Sequence, residues 1–421
     1  MLDDSDVRPD VYLDAAATIP MREAALAEWI DAVHELQDHP GNPSSLHAGG
    51  RRAAALLADA RARVASCMWA DPAEIVFTSG ATESDALGVM GTARAVRAAD
   101  PARTVIAASG IEHPAVAAQA PVAQREGFKW HRIGTRPDGV AEAPAAAPSS
   151  IEDPDQLAVV SLALVCSEIG TIQPVVEYAD WVHENAPGAK VHSDAAQAFE
   201  CLDVDVRAIG ADLITVAGHK IGAPIGVGAL YVRRGTELVT DRPGGGQESQ
   251  RRSGTADVAG ALAFAAALEE AVSMRHHIHR HWTELRAHLL RGLPEGVALT
   301  TEAATTPGIV HLSIPTEHPE AVIMVMDRAG VQVSAGSACH SGVARPSDVL
   351  LAMGRTEAQA MGALRVSFLP ETRAADLDRF LAALPEALAA AQALDGAAGT
   401  GAPGAGTSGA GTSGAGAGAS R

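Results

Sequence analysis

The sequence predicts an α/β fold, in which a mainly parallel sheet is covered by helices on both faces and a second, smaller α/β unit follows. Three observations carry this. Apolar runs of strand length alternate with longer stretches of helical spacing through most of the chain. Four chemistry-bearing residues, Gly80, His113, Asp194 and Lys220, fall at or just beyond the ends of such runs, where sheets of this kind bind ligands. The length, 421 residues, allows two or three domains and a large core.

The chain opens with a short strand at Val11-Tyr12-Leu13. A helix follows Pro20 and runs to about Gln37. A turn-rich loop, Gly41-Asn42-Pro43-Ser44-Ser45, leads into a second helix over 48–68. The strand Glu74-Ile75-Val76-Phe77-Thr78 meets Ser79-Gly80-Ala81-Thr82-Glu83, which opens a helix reaching about Ala98. The strand Thr104-Val105-Ile106-Ala107-Ala108 precedes Glu112-His113-Pro114 and a helix to Arg125. A short strand over 129–133, an Ala/Pro/Ser-rich loop over 137–154, a buried strand over 157–164 and a helix over 176–185 come next. A strand then ends at Asp194, and the runs Asp212-Leu213-Ile214-Thr215-Val216 and Gly228-Ala229-Leu230-Tyr231-Val232 flank Lys220. Pro243-Gly244-Gly245-Gly246 begins a loop leading to Arg251-Arg252-Ser253-Gly254-Thr255. A long Ala-rich helix covers about 258–290, and short strands and helices alternate to about 395. The Gly/Ala/Ser/Thr tract over 396–421 is expected to be disordered. The expected division is a large ligand-binding domain over 21–257, a smaller one from 1–20 and 258–395, and that tail.

Apolar content is 47%, yet no uninterrupted apolar run is long enough to span a bilayer. The acidic start, Met1-Leu2-Asp3-Asp4-Ser5-Asp6, does not read as a signal peptide, so a cytoplasmic protein with no membrane partner is expected. The net charge of −19, from 32 basic and 51 acidic residues, argues against general nucleic-acid binding. Cys67, Cys166, Cys201 and Cys339 are far apart, with no metal-ligand spacing; they read as thiols, and no metal site is expected.

The stretch Ala217-Gly218-His219-Lys220 puts a lysine at the end of a buried apolar run, an unusual place for a solvated charge. A lysine with a depressed pKa forms Schiff bases. Asp194 ends the run before it. A Lys paired with an Asp is what a pyridoxal 5'-phosphate site needs, one for the aldehyde and one for the pyridine nitrogen. Read alone, each is also an ordinary surface lysine or helix cap. Ser79-Gly80-Ala81-Thr82 sits where a strand turns into a helix, so its N–H groups and hydroxyls suit a phosphate, or simply cap the helix. His113 follows a strand end and is placed to stack on a flat ring or to serve a structural role. Gln197 is three residues beyond Asp194, within reach of a ring hydroxyl, or is a helix-start amide. Cys339 lies among small and polar residues, which suggests an exposed loop thiol that His340 helps ionise. Arg365, inside a strand-like run, suits a bidentate carboxylate or an edge-strand charge.

Taken in order, these stretches make the chain resemble the pyridoxal-phosphate cysteine desulfurases, a branch of the class V aminotransferases with the fold-type I architecture. The resemblance is carried by Tyr12 to Thr18, Gly41-Asn42-Pro43-Ser44-Ser45, Phe77 to Ser84, Glu112-His113, Glu168-Ile169-Gly170, His192 to Gln197, Gly218-His219-Lys220, Arg252-Ser253-Gly254-Thr255 and Gly336-Ser337-Ala338-Cys339. It covers about residues 11–390. It implies that Lys220 carries the cofactor covalently, Asp194 pairs with its pyridine nitrogen, and His113 stacks on the ring. It also implies phosphate contacts from Ala81, Thr82, His219 and, across a homodimer, Thr255. Gln197 then meets the ring oxygen, Arg365 and Ser167 face the substrate, and Cys339 takes the sulfur. Three departures stand out: Cys166-Ser167 where the family usually has Asn-Asn, Ala217 where it usually has Ser, and Phe368-Leu369-Pro370 where relatives more often have Leu-Gly-Arg. The expected activity is conversion of L-cysteine to L-alanine, with sulfur passed through a Cys339 persulfide to an acceptor protein, as in iron–sulfur assembly or thiolation. The alternatives are another class V enzyme, such as a selenocysteine lyase or a pathway-specific amino-acid lyase, and a degenerate scaffold relative.

Overall fold

The computed structural model describes residues 10–144, 153–335 and 345–398. After β1 (Val11–Tyr12) come helices α1 (Glu23–Asp38) and α2 (Ala48–Cys67). Then follow β2 (Ile75–Thr78), α3 (Ala81–Ala86), α4 (Thr92–Ala99), β3 (Val105–Ser109), α5 (Pro114–Ala117), α6 (Ala120–Arg125) and β4 (Lys129–Ile133). The chain continues through β5 (Leu157–Ser161), α7 (Val175–Asn185), β6 (Lys190–Asp194), α8 (Val206–Ile209), β7 (Leu213–Ala217) and β8 (Gly228–Val232). Strands β2 to β8 form a seven-stranded sheet in the order β2-β8-β7-β6-β5-β3-β4. Its pairs from β7 to β4 are parallel, and β8 runs antiparallel to both β7 and β2. Every residue of β2, β5, β7 and β8 is buried, as expected for strands covered on both faces. The edge strand β4 instead carries Lys129, His131 and Arg132, and charge on an edge discourages further pairing.

Two helices differ from the sequence expectation. The helix expected from His113 to Arg125 is two short ones, because Pro121 has no N–H to bond back into the preceding turn. The run from Ala81 to Ala99 is continuous but widens into a π turn at Leu87–Gly91. Gly88 lies in that turn, and a Cβ there would stand 2.8 Å from Cδ2 of His192, so the turn packs directly on β6.

The second half contains α9 (Val258–Arg291), β9 (Ala298–Leu299), β10 (Ile309–Ser313), α10 (Pro319–Arg328), β11 (Val331–Gln332), α11 (Asp348–Ala352), α12 (Glu357–Met361), β12 (Ala363–Ser367) and α13 (Ala374–Ala398). Strands β12-β10-β9 form an antiparallel sheet, and β11 pairs in parallel with β1. The 34 residues of α9 serve two cores. Residues 258–271 pack with Ala25, Ala60 and Val64 from α1 and α2, and Ile278, Trp282, Leu285 and Leu289 pack with Leu377, Phe380 and β10. Helix α13 runs to Ala398, three residues into the tract expected to be disordered at 396–421; residues 399–421 lie outside the described residues.

Arg22 ties the helical layer to the sheet end. Its guanidinium reaches Glu200 at 2.6 Å, Glu270 at 2.8 Å and the carbonyl of Ile221 at 2.8 Å, all but sealed from solvent on the Glu200 side. Arg22→Met is expected to destabilise the fold by about 3–5 kcal/mol, because it strands the buried Glu200 carboxyl. Urea unfolding checks this; a loss below about 1 kcal/mol would show the pair to be dispensable.

Candidate active site

Lys220 does not sit on β7 itself. It closes a short 3-10 turn, Gly218–Lys220, that the chain makes on leaving the strand. Gly218 is needed there, since a Cβ would lie 2.5 Å from the carbonyl oxygen of Val227. The Lys220 amine donates to the carbonyls of Ala16 and Ala17, which draws the N-terminal segment over the sheet end. Burial lowers its pKa to about 8; Arg365 adds to this, and Asp194 and Asp14 oppose it. Asp194 ends the neighbouring β6 and is in register with Thr215 of β7. Its Oδ1 accepts the N–H of Ala196 at 2.9 Å. Burial raises its pKa, against that N–H and the nearby His113 and Lys220.

His113 caps α5, its Nδ1 accepting the N–H of Ala115 at 3.1 Å. It thus has a structural role at the helix start, and one ring nitrogen of His113 lies within 4.8 Å of a carboxylate oxygen of Asp194. Burial lowers the pKa of His113, with Lys220 and Arg365 assisting and Asp194 opposing. His219 is pushed down to about 4 by burial and by Lys220, so its imidazole is neutral. Gln197 is turned toward the N-terminal segment, donating from Nε2 to the carbonyl of Ala16 at 2.8 Å.

The turn at Ser79-Gly80 is shaped by glycine. Gly80 has φ 137°, and a Cβ on Gly228 of β8 would stand 2.8 Å from its Cα. Ala81 and Thr82 follow as the first residues of α3, with Thr82 exposed. Glu83 accepts the N–H of Ser79 at 2.7 Å and the guanidinium of Arg252 at 2.9 Å. Burial works against its ionisation, but Arg252 and Ser79 prevail and its pKa is lowered. Glu83 thus fastens the loop carrying the exposed Thr255 to this turn.

Arg365, on β12, is engaged from within the chain. It donates to Asp14 Oδ1 at 2.7 Å and to the carbonyl of Ser167 at 3.0 Å, while its Nε makes no hydrogen bond among the described residues. Ser167 meets Arg365 through its backbone, its side chain half-buried. Ser334 exchanges backbone hydrogen bonds with Arg365, and Ser347 donates to the buried Glu168. These anchors lie on either side of the segment containing Cys339, which itself falls outside the described residues. Burial pushes the other thiols up, Cys67 to about 11 and Cys166 and Cys201 to about 12.

Sequence reasoning assigned no role to three residues that the fold brings here: Asp14, Asp85 and Glu112. Asp14 and Glu112 lie inside stretches that were already singled out; Asp85 stands among buried helix residues with nothing local to distinguish it.

A sheet end bearing a depressed lysine opposite a buried aspartate is joined by family evidence. The chain belongs to the class V aminotransferases, whose profile matches residues 11–380. Within them it groups with the cysteine desulfurases. The IscS-like cysteine desulfurase of Mycobacterium tuberculosis is 40% identical over 387 residues, 90% of this chain and 97% of that protein. A NifS-like protein of known structure superposes with a TM-score of 0.81 at 29% identity, over 90% of this chain and 99% of that one. SspA in complex with cysteine gives a TM-score of 0.70 at 26% identity, over 86% of this chain and 99% of that one.

The lowered pKa of Lys220 has a direct readout. Reductive labelling of the cofactor-free protein with a small aldehyde should modify Lys220 with a midpoint near pH 8, the neutral amine being present above that value. A midpoint near the ordinary 10.5 would show that the amine is solvated.

Proposed function

We propose that this chain is a pyridoxal 5'-phosphate-dependent cysteine desulfurase, which converts L-cysteine to L-alanine and holds the sulfur as a persulfide on Cys339. The observation that carries the reading is Lys220: a half-buried lysine whose pKa is lowered to about 8, held at a sheet end and electrostatically coupled to a buried aspartate. This donor set fits pyridoxal phosphate. Lys220 supplies the amine for the aldehyde, Asp194 the carboxylate for the ring nitrogen, and His113 an imidazole face. The turn formed by Ala81 and Thr82, with His219 and the partner subunit's Thr255, supplies the phosphate contacts, and Gln197 the ring-oxygen contact. When bound, the cofactor withdraws electrons from the substrate α-carbon.

The chain's own groups do the rest. Lys220, neutral above about pH 8, is the base that takes the α-proton and later returns a proton. Arg365 binds the substrate carboxylate, for which Asp14 must yield its place or share the guanidinium. Ser167 lies beside it, shorter than an asparagine. Cys339 attacks as the thiolate: its S–S bond forms as the substrate C–S bond breaks, and the carbon keeps that electron pair and is protonated. The other three thiols, held up at about 11 to 12, are unsuited to this step. The persulfide then passes to an acceptor protein, for iron–sulfur assembly or thiolation. A thiol-dependent reaction of this kind suits the cytoplasm.

Exposed apolar side chains support a homodimer, notably Leu46 at 90% and Ile225 at 86% exposure. The two hydrophobic cores support a division into a larger unit over 21–257 and a smaller one from 1–20 and 258–395, with α9 shared between them.

Lys220 and Cys339 should fail differently. Lys220→Ala is expected to lose the cofactor's bound absorbance and nearly all alanine release. Cys339→Ser should keep that absorbance and bind L-cysteine, but lose alanine release by about 10²-fold or more, a hydroxyl being the weaker nucleophile. Full alanine release by Cys339→Ser would point instead to a lyase that needs no protein thiol. Sedimentation should find a dimer, and mixing Lys220→Ala with Thr255→Val subunits should restore one working site in each heterodimer. A fully active monomer would refute the shared site.

A further inference from the structure

Asp85 is a buried carboxyl that no cation balances among the described residues. It lies on α3, fully enclosed, and neither of its oxygens makes a hydrogen bond among the described residues. One of its oxygens, one of Asp194 and a ring nitrogen of His113 lie within 4.8 Å of one another. His192 approaches from β6, its Nε2 3.5 Å from Asp85 Oδ1. That ring is no counter-ion: Ser161 holds its Nδ1 at 2.9 Å and Thr215 its Nε2 at 3.0 Å, and burial keeps it neutral, with a pKa of about 3. Glu112 also faces Asp85; its Oε2 is unpartnered among the described residues, and with its pKa raised to about 8 by burial and Asp194 it offers no positive charge.

Two enclosed carboxyls this close do not both ionise. Asp194 has the better claim to the charge, since it accepts the Ala196 N–H and faces His113 and Lys220. Resting on the pyridoxal phosphate reading above, we propose that Asp85 is the proton-holding partner of Asp194. Before the cofactor binds, the pair carries one proton, on Asp85; pyridoxal phosphate enters with its ring nitrogen already protonated, and Asp85 then gives its proton up to solvent. The step balances: the O–H bond breaks at Asp85, buffer takes that proton, and the ring N–H cation replaces it beside the two carboxylates, so the site's net charge is unchanged. Burial and repulsion from Asp194 both favour the protonated form of Asp85, against the neighbouring Thr215 hydroxyl.

The test has two arms. In the cofactor-free protein at neutral pH, the infrared difference between wild type and Asp85→Asn should show the loss of one protonated-carboxyl C=O stretch. Loss of a carboxylate stretch instead overturns the proposal. Calorimetric titration with pyridoxal phosphate, in buffers of different ionisation enthalpy, then counts protons. Asp85→Asn should release about one proton fewer per site than wild type, having no such proton to give up. Equal counts overturn the proposal. Should Asp85→Asn fail to fold by circular dichroism, wild type alone decides: loading should remove the absorbance of one protonated carboxyl while that of Glu112 stays, and an undiminished acid absorbance overturns the assignment. A wild type that binds no pyridoxal phosphate fails the cofactor reading itself, a result distinct from binding with equal proton counts.

Discussion

Charge neutrality in a dry place governs this molecule. The carboxyl end of the seven-stranded sheet gathers Lys220, Asp194, Asp85, Glu112 and, from the second sheet, Arg365 with Asp14. Water does not reach most of them, so each charge must find an opposite or be given up. Glu112 gives way, its pKa raised to about 8 by burial and by Asp194. Lys220 is shifted from the other side, its pKa lowered to about 8. Arg365 keeps its charge by pairing with Asp14. The N-terminal segment is recruited into this arrangement, since Ala16 and Ala17 lend carbonyls to Lys220 and Asp14 lends its carboxylate to Arg365.

Close backbone packing makes that gathering possible. Gly218 lets the chain turn directly from β7 into Lys220, Gly80 and Gly228 let β2 and β8 meet at the strand-to-helix turn, and Gly88 lets the wide helical turn lie on His192. Each is a place where one added carbon would push a functional group away from the others. Ala217 belongs with them: fully buried at the end of β7, it fits a strand end that is already crowded.

The parts legible in the sequence were those with a local signal. Continuous apolar runs located the strands of the seven-stranded sheet, and an ionisable residue at the end of such a run marked Lys220 and Asp194. What escaped was long-range. Arg365 and Asp14 are separated by 351 positions, and no spacing rule pairs them. Asp85 was silent because its peculiarity is the lack of a partner, which only the packed neighbours reveal. The break between α5 and α6 was local, and Pro121 announced it. Cys339 was singled out by its small and polar neighbours, and it lies outside the described residues.

Helix α9 bears on how the chain is made. Residues 21–257 emerge first during synthesis, yet the core under α1 and α2 is completed by residues 258–271 of α9. Until those appear, Ala25, Ala60 and Val64 have no lid, and the sheet that carries Lys220 stays half-covered. The rest of the same helix is the floor on which β10 and α13 assemble. The nascent chain therefore cannot finish its first half before beginning its second. A fragment cut at 257 would present the greasy faces of two helices to the cell, a state that invites chaperones or aggregation rather than an independent domain.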